Sequence, residues 1–107
     1  MNILTVGGSD PSSGAGVQSD IRTFSDFDAY GLTVITAITS QNTKRISNIE
    51  PVSKKSLKSQ LDLILSDFHI DAIKIGMVYN SDIINVVHSK FRHEQVPIIV
   101  DPIIKST

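Results

Sequence analysis

A chain of 107 residues, 40% apolar and 20% charged, has room for one globular domain with a modest core. Its formal net charge of -1 offers no basic field for nucleic acid or an anionic membrane, so neither partner is expected. It has no cysteine, which excludes a disulfide framework, a thiolate zinc site and a cysteine nucleophile within the chain, and fits a cytoplasmic protein.

Met1-Asn2-Ile3-Leu4-Thr5-Val6-Gly7 has no basic n-region and only a short apolar run, so no signal peptide is expected. Ile3 to Val6 reads as a buried strand stopped by Gly7-Gly8. Ser9 to Gly14 is turn chemistry. From Ala15 to about Asp28, Val17, Ile21, Phe24 and Phe27 recur at helical spacing, with Ser12 or Ser13 as the cap. Tyr30-Gly31 breaks the chain, and Leu32 to Thr39 is dense enough in Val, Ile and Thr to predict a second strand. Gln41 to Pro51 is polar without period and reads as a loop. Ser53 starts a second helix with Leu57, Leu61, Ile64, Leu65 and Phe68 as its stripe. Lys54, Lys55 and Lys58 fall largely off that stripe. With Lys44 and Arg45 they give a local positive bias, read as solvated loop and helix face.

Ala72 to Ile75 is the third predicted strand, ended by Gly76. Asn80 or Ser81 caps a third helix whose stripe is Ile83, Ile84, Val87 and Phe91. Val96 to Val100 is the fourth strand, with Pro97 near its start, where a missing donor matters least. No run approaches the roughly 20 apolar residues of a membrane span. The order β-α-β-α-β-α-β predicts an α/β fold: a parallel sheet with helices on its faces. The chain stops a few residues after a buried-type strand, a pattern that favours a fragment over a small four-stranded domain.

In an open α/β sheet, ligands bind beyond the carboxyl ends of the strands. That rule selects Gly7 to Gly16, Thr39 to Thr43, Gly76 to Tyr79 and Asp101 to Ser106. The first is glycine-rich and leads into a helix N-terminus, so backbone can approach a ligand closely there. It is neither a dinucleotide fingerprint nor a P-loop: the third glycine of the one and the Gly-Lys-Ser/Thr of the other are missing. Asp20 falls close to Val17, Phe24 and Phe27 on the apolar stripe, and a carboxylate there needs a partner. A loop N–H, a cation and the amine or hydroxyl of a ligand are all open to it. Gln41 and Asn42 follow a β-branched strand; a planar amide with two donors and an acceptor suits the edge of a heteroaromatic ring, or a plain strand cap. Met77 reads as core filler or as cover for a flat ring. Asp101 reads as a turn residue or as a carboxylate near magnesium and phosphate. His69, His88 and His93 show no metal spacing.

Together these segments resemble the hydroxymethylpyrimidine/phosphomethylpyrimidine kinase family of thiamin biosynthesis, within the ribokinase-like superfamily. The resemblance rests on the run from Gly8 to Asp20, then Thr23-Phe24, Tyr30-Gly31, Val34-Ile35-Thr36-Ala37, Ser40-Gln41-Asn42-Thr43, Lys74-Ile75-Gly76-Met77 and Val100-Asp101-Pro102. It implies ATP- and Mg2+-dependent phosphorylation of a pyrimidine hydroxymethyl group and then of its phosphate. It implies that Gln41 binds the pyrimidine, that Ala15, Asp20, Thr39 and Met77 line the pocket, and that Ile103 closes it. Asp101 then lies toward magnesium and the ATP phosphates, with no direct metal ligand in the chain.

Ser13 departs from the family's usual second glycine. Family members are also much longer, and their anion hole, activating residue and most of their nucleotide site lie in a C-terminal half. Residues 1–107 are therefore expected to be the N-terminal, substrate-binding part of a kinase domain, with no catalytic residue of their own and no phosphate transfer alone. Family members often dimerise, which makes a homodimer an expectation. The alternatives are a pyridoxal kinase of the same fold, a non-catalytic pyrimidine-binding module, and an inert remnant.

Overall fold

The structure is a computed structural model and describes residues 1–101. Eight elements follow in chain order: β1 (Asn2–Ser9), α1 (Gly16–Asp26), β2 (Tyr30–Gln41), β3 (Ile46–Pro51), α2 (Lys54–Asp67), β4 (Ala72–Ile75), α3 (Ser81–Phe91) and β5 (Ile98–Val100). They form one five-stranded sheet in the order β3-β2-β1-β4-β5. β1 runs parallel to β2 and β4, and β4 parallel to β5. The expected α/β architecture is present, with one correction: β3 lies antiparallel to β2, so the sheet is mixed.

Strand alternation divides the residues between two faces. Leu4, Val6, Leu32, Val34, Ile73 and Ile75 form the main core with Leu57 and Leu61 of α2 and Ile83, Val86, Val87 and Phe91 of α3. Thr5 and Lys74 alternate with those core residues and meet α1 on the opposite face.

Several local expectations change. The stretch read as a loop from Gln41 to Pro51 contains β3, and Gln41 itself is the last residue of β2, paired with Ile46. β3 is an edge strand with no residue fully buried, so no apolar period marks it. Gly7-Gly8 do not stop β1; the strand runs to Ser9, and its register against β2 shifts there, leaving Thr36 unpaired as a bulge. Tyr30-Gly31 belong to β2, and the turn lies just before them, where Asp28 takes φ 58°.

Helix starts divide the same way. Ser53 accepts from the Ser56 N–H, and Asn80 Oδ1 accepts from the Ile83 N–H at 3.0 Å, as expected. α1 instead starts after Ala15 with no side-chain cap, so neither Ser12 nor Ser13 fills that role. Its stripe is also incomplete: Val17 is buried, whereas Ile21 and Phe27 are exposed. In α3, Val86 takes the buried place expected of Ile84, which is 47% exposed.

Candidate functional site

The loop from Ser9 to Gly16 is fixed by one buried carboxylate. Asp10 accepts from the Ser12 hydroxyl (2.7 Å) and from the N–H groups of Ser12 (2.8 Å) and Ala15 (2.9 Å). The Ser12 hydroxyl bond is the main cause that holds its pKa below the usual carboxylate range; burial opposes it, and the backbone N–H groups add to it. Gln18 reaches back from α1 and clamps the loop. Its Oε1 accepts from the Asp10 N–H and its Nε2 donates to Ser9 Oγ, both at 2.8 Å.

Gly16 takes φ 65°, and a Cβ there would stand 2.4 Å from the Gly8 carbonyl oxygen, so the entry to α1 admits no other residue without rebuilding. Ser13 also takes φ 65°. The serine keeps the left-handed turn that a glycine would make more cheaply.

This loop walls a cleft of about 110 Å³ beyond the carboxyl ends of the parallel strands. Ala15, Asp20, Thr39, Gln41, Met77 and Asp101 all line it. Residues more than 80 positions apart in sequence are thus brought to one place. Ile103, expected to close the pocket, lies outside the described residues.

At the β2 end the polar groups form a relay. Thr39 Oγ1 donates to the Ser9 carbonyl, and Gln41 Nε2 donates to Thr39 Oγ1, both at 2.8 Å. Thr39 has one hydroxyl proton, already given to a carbonyl that can only accept. It can therefore only accept from Gln41, which orients the amide: nitrogen toward Thr39, with the carbonyl oxygen as the acceptor on its other arm.

Below Gly7 and Gly76, Asp20 finds its partner. Lys74 Nζ donates to both carboxylate oxygens at 2.9 Å, and Thr5 Oγ1 donates to Oδ2 at 2.7 Å. Of the options open to Asp20, the structure provides the cation. Sequence reasoning did not assign Lys74 to the site. A signal was available: Ala-Ile-Lys-Ile is an apolar strand with one charge, and α1 carries one carboxylate on its apolar stripe. Each is out of place alone, and only the fold pairs them.

Asp101 stands exposed past β5, and its N–H donates to the Ile75 carbonyl at 2.9 Å. Among the described residues no group of three His, Asp or Glu side chains is arranged to hold a metal.

A loop-walled cleft beyond the carboxyl ends of parallel strands is where open α/β folds commonly take their ligands. The family model described as phosphomethylpyrimidine kinase matches residues 10–107. The hydroxymethylpyrimidine/phosphomethylpyrimidine kinase of Escherichia coli is 41% identical over 100 residues, 94% of this chain and 38% of that protein. That of Bacillus subtilis is 41% identical over 101 residues, again 94% of this chain and 37% of the relative. Among solved structures, the phosphomethylpyrimidine kinase of Clostridium difficile superposes with a TM-score of 0.88 at 41% identity, covering 100% of this chain and 47% of that one. The pyridoxal kinase of Staphylococcus aureus in complex with pyridoxal superposes with a TM-score of 0.86 at 34% identity, covering 97% and 40%.

The fold is thus a partial ribokinase-like kinase fold. The chain belongs to the phosphomethylpyrimidine kinase family. It spans about two fifths of the length of these two curated relatives.

Proposed function

We propose that this chain supplies the pyrimidine pocket of a kinase that phosphorylates hydroxymethylpyrimidine and then its phosphate, in thiamin biosynthesis. The observation that carries this reading is the oriented amide of Gln41. Its carbonyl oxygen accepts and its remaining N–H donates, in one plane. An aminopyrimidine presents the complement, an amino donor beside a ring-nitrogen acceptor. Gly7, Gly8 and Met77 line the cleft in which that ring would lie, with the Met77 thioether packed beside Gly8.

Magnesium–ATP supplies the phosphoryl group in this reading. Magnesium keeps several waters and takes one or two carboxylates together with substrate phosphates. Asp10 and Asp20 already spend oxygens on protein donors, so Asp101, which lines the cleft from the β5 side while Gln41 lines it from β2, is the carboxylate that fits this place. Phosphoryl transfer depends on positioning and charge stabilisation around the phosphates. The chain by itself is read as the binding part alone; turnover of hydroxymethylpyrimidine with ATP by the purified 107-residue protein would overturn that.

Calorimetric titration with hydroxymethylpyrimidine tests the pocket. Gln41→Ala is expected to weaken binding by roughly tenfold or more, since it removes both complementary hydrogen bonds. Unchanged affinity would remove Gln41 from the site. A second reading, a pyridoxal kinase, draws on the likeness to the Staphylococcus aureus enzyme. Pyridoxal displacing hydroxymethylpyrimidine at lower concentration would favour it.

A further inference from the structure

Lys74 is a charge on a central strand. Its neighbours Ile73 and Ile75 pack into the main core, and its own side chain turns to the α1 face, 23% exposed, against an Asp20 that is 18% exposed. Shielding an ion pair to this degree costs desolvation that its attraction roughly offsets, and apolar residues of similar size commonly serve stability as well or better. Folding alone gives little reason for the pair.

Its position gives a better one. The pair is not sealed in the core, for both side chains line the cleft. An ammonium carries three donors, and Lys74 directs its bonds among the described residues to the two oxygens of Asp20. At least one N–H remains for a ligand. Asp20 and Thr5 hold the long side chain still, so little rotamer freedom is lost when that donor is used. Gly76 sets no side chain beside Nζ; a Cβ there would lie 3.7 Å from it, in ordinary van der Waals contact.

The sheet order sets where along the cleft this donor stands. Gln41 ends β2, β1 follows, then β4 with Lys74, then β5 and Asp101. With neighbouring strands about 4.8 Å apart, β4 stands roughly 10 Å across the sheet from β2 and next to β5; the Lys74 backbone is level with Thr33, and its long side chain reaches the cleft that Gln41 and Asp101 also line. A ligand held at Gln41 with its reactive arm toward Asp101 occupies the cleft that the Lys74 side chain also lines.

We propose that Lys74, held by Asp20 and Thr5, donates to the oxygen of the ligand's exocyclic hydroxymethyl group and makes the cleft select an oxygen-bearing arm. Lys74 is on this view a specificity residue. The proposal rests on the pyrimidine reading above for the placement of the ring.

The test compares two ligands by calorimetry: hydroxymethylpyrimidine and the same aminopyrimidine with a methyl group in place of the hydroxymethyl. The readout is the ratio of their affinities, which damage to the fold lowers for both and leaves unchanged. The unsubstituted chain is expected to prefer the hydroxymethyl ligand by roughly tenfold or more, the value of a hydrogen bond from a charged donor. In Lys74→Met the ratio falls toward one. Because that change strands Asp20, the paired Lys74→Met/Asp20→Asn variant is measured beside it, with the same expectation. A third measurement needs no substitution: the Lys74 ammonium resonance should shift with the hydroxymethyl ligand and stay in place with the methyl one. A ratio that survives in both variants, or a resonance indifferent to the oxygen, overturns the role of Lys74. Gln41-dependent binding with no preference for the oxygen overturns it while leaving the pyrimidine reading intact. Failure of the unsubstituted chain to bind either ligand overturns both.

Discussion

Ser13 holds a left-handed φ of 65° in the loop that walls the cleft. An L-residue pays about 1–2 kcal/mol for that conformation, and glycine repays part of the relief in unfolded-chain entropy. Ser13→Gly is therefore expected to stabilise the chain by about 0.5–1 kcal/mol, read as a raised urea midpoint at constant slope. Ser13 was legible in sequence as a departure from a glycine position; its φ was not, because only the closed loop sets it. Asp20 and Lys74 make the same point through charge. Composition and helical spacing mark Asp20 as misplaced, but its pairing spans 54 residues and depends on α1 packing over β1 and β2 within reach of the Lys74 side chain from β4. Gln41 was legible as a planar amide after a strand. Its orientation was not, since that depends on Thr39 and Ser9 meeting across two strands.

At the scale of elements, the strands and helices that bury a face were readable, because burial writes a period into the sequence. β1, β2, β4, α2 and α3 all carry that period, and Ser53 and Asn80 mark two helix starts. β3 buries neither face and carries none. The β1–α1 loop is an element of another kind, held by hydrogen bonds to one carboxylate, and its stability is pH-dependent. Asp10 has its pKa lowered in the folded state, first by the Ser12 hydroxyl. Its contribution is fully present above the unfolded value of 3.8 and is lost as pH falls through the folded value below it. Asp71 is lowered too, chiefly by the Asn2 N–H, and acts with the same sign at the N-terminus of β1. Denaturant melts between pH 7 and pH 3 should show stability falling only at the acid end. Asp10→Asn should flatten that fall; an unchanged acid slope would show that the loop carboxylate is not its source.

Across the whole molecule, the Cα radius of gyration of 13.3 Å is that of a compact domain of this length. Among the described residues the two faces of the sheet are unequally covered: α2 and α3 share the main core, while α1 meets the other face through β1 and β2. On the outer strand β5, Ile99 and Val100 are exposed. The strand order β3-β2-β1-β4-β5 places β1 at the centre, with β2 and β4 on either side, and it is this order that gathers Gln41, Asp20, Lys74 and Asp101 along one cleft. Among the described residues no helix is long and apolar enough to cross a membrane.

By itself the sequence determined the α/β alternation, the helix caps that use side chains, and the strand ends where ligands bind, because these follow from local periods and local hydrogen-bonding chemistry. The antiparallel edge strand, the Lys74–Asp20 pair and the direction of the Gln41 amide were decided only by tertiary structure. Each depends on which distant groups the sheet order brings within hydrogen-bond reach, and a single chain read end to end holds no period that records it.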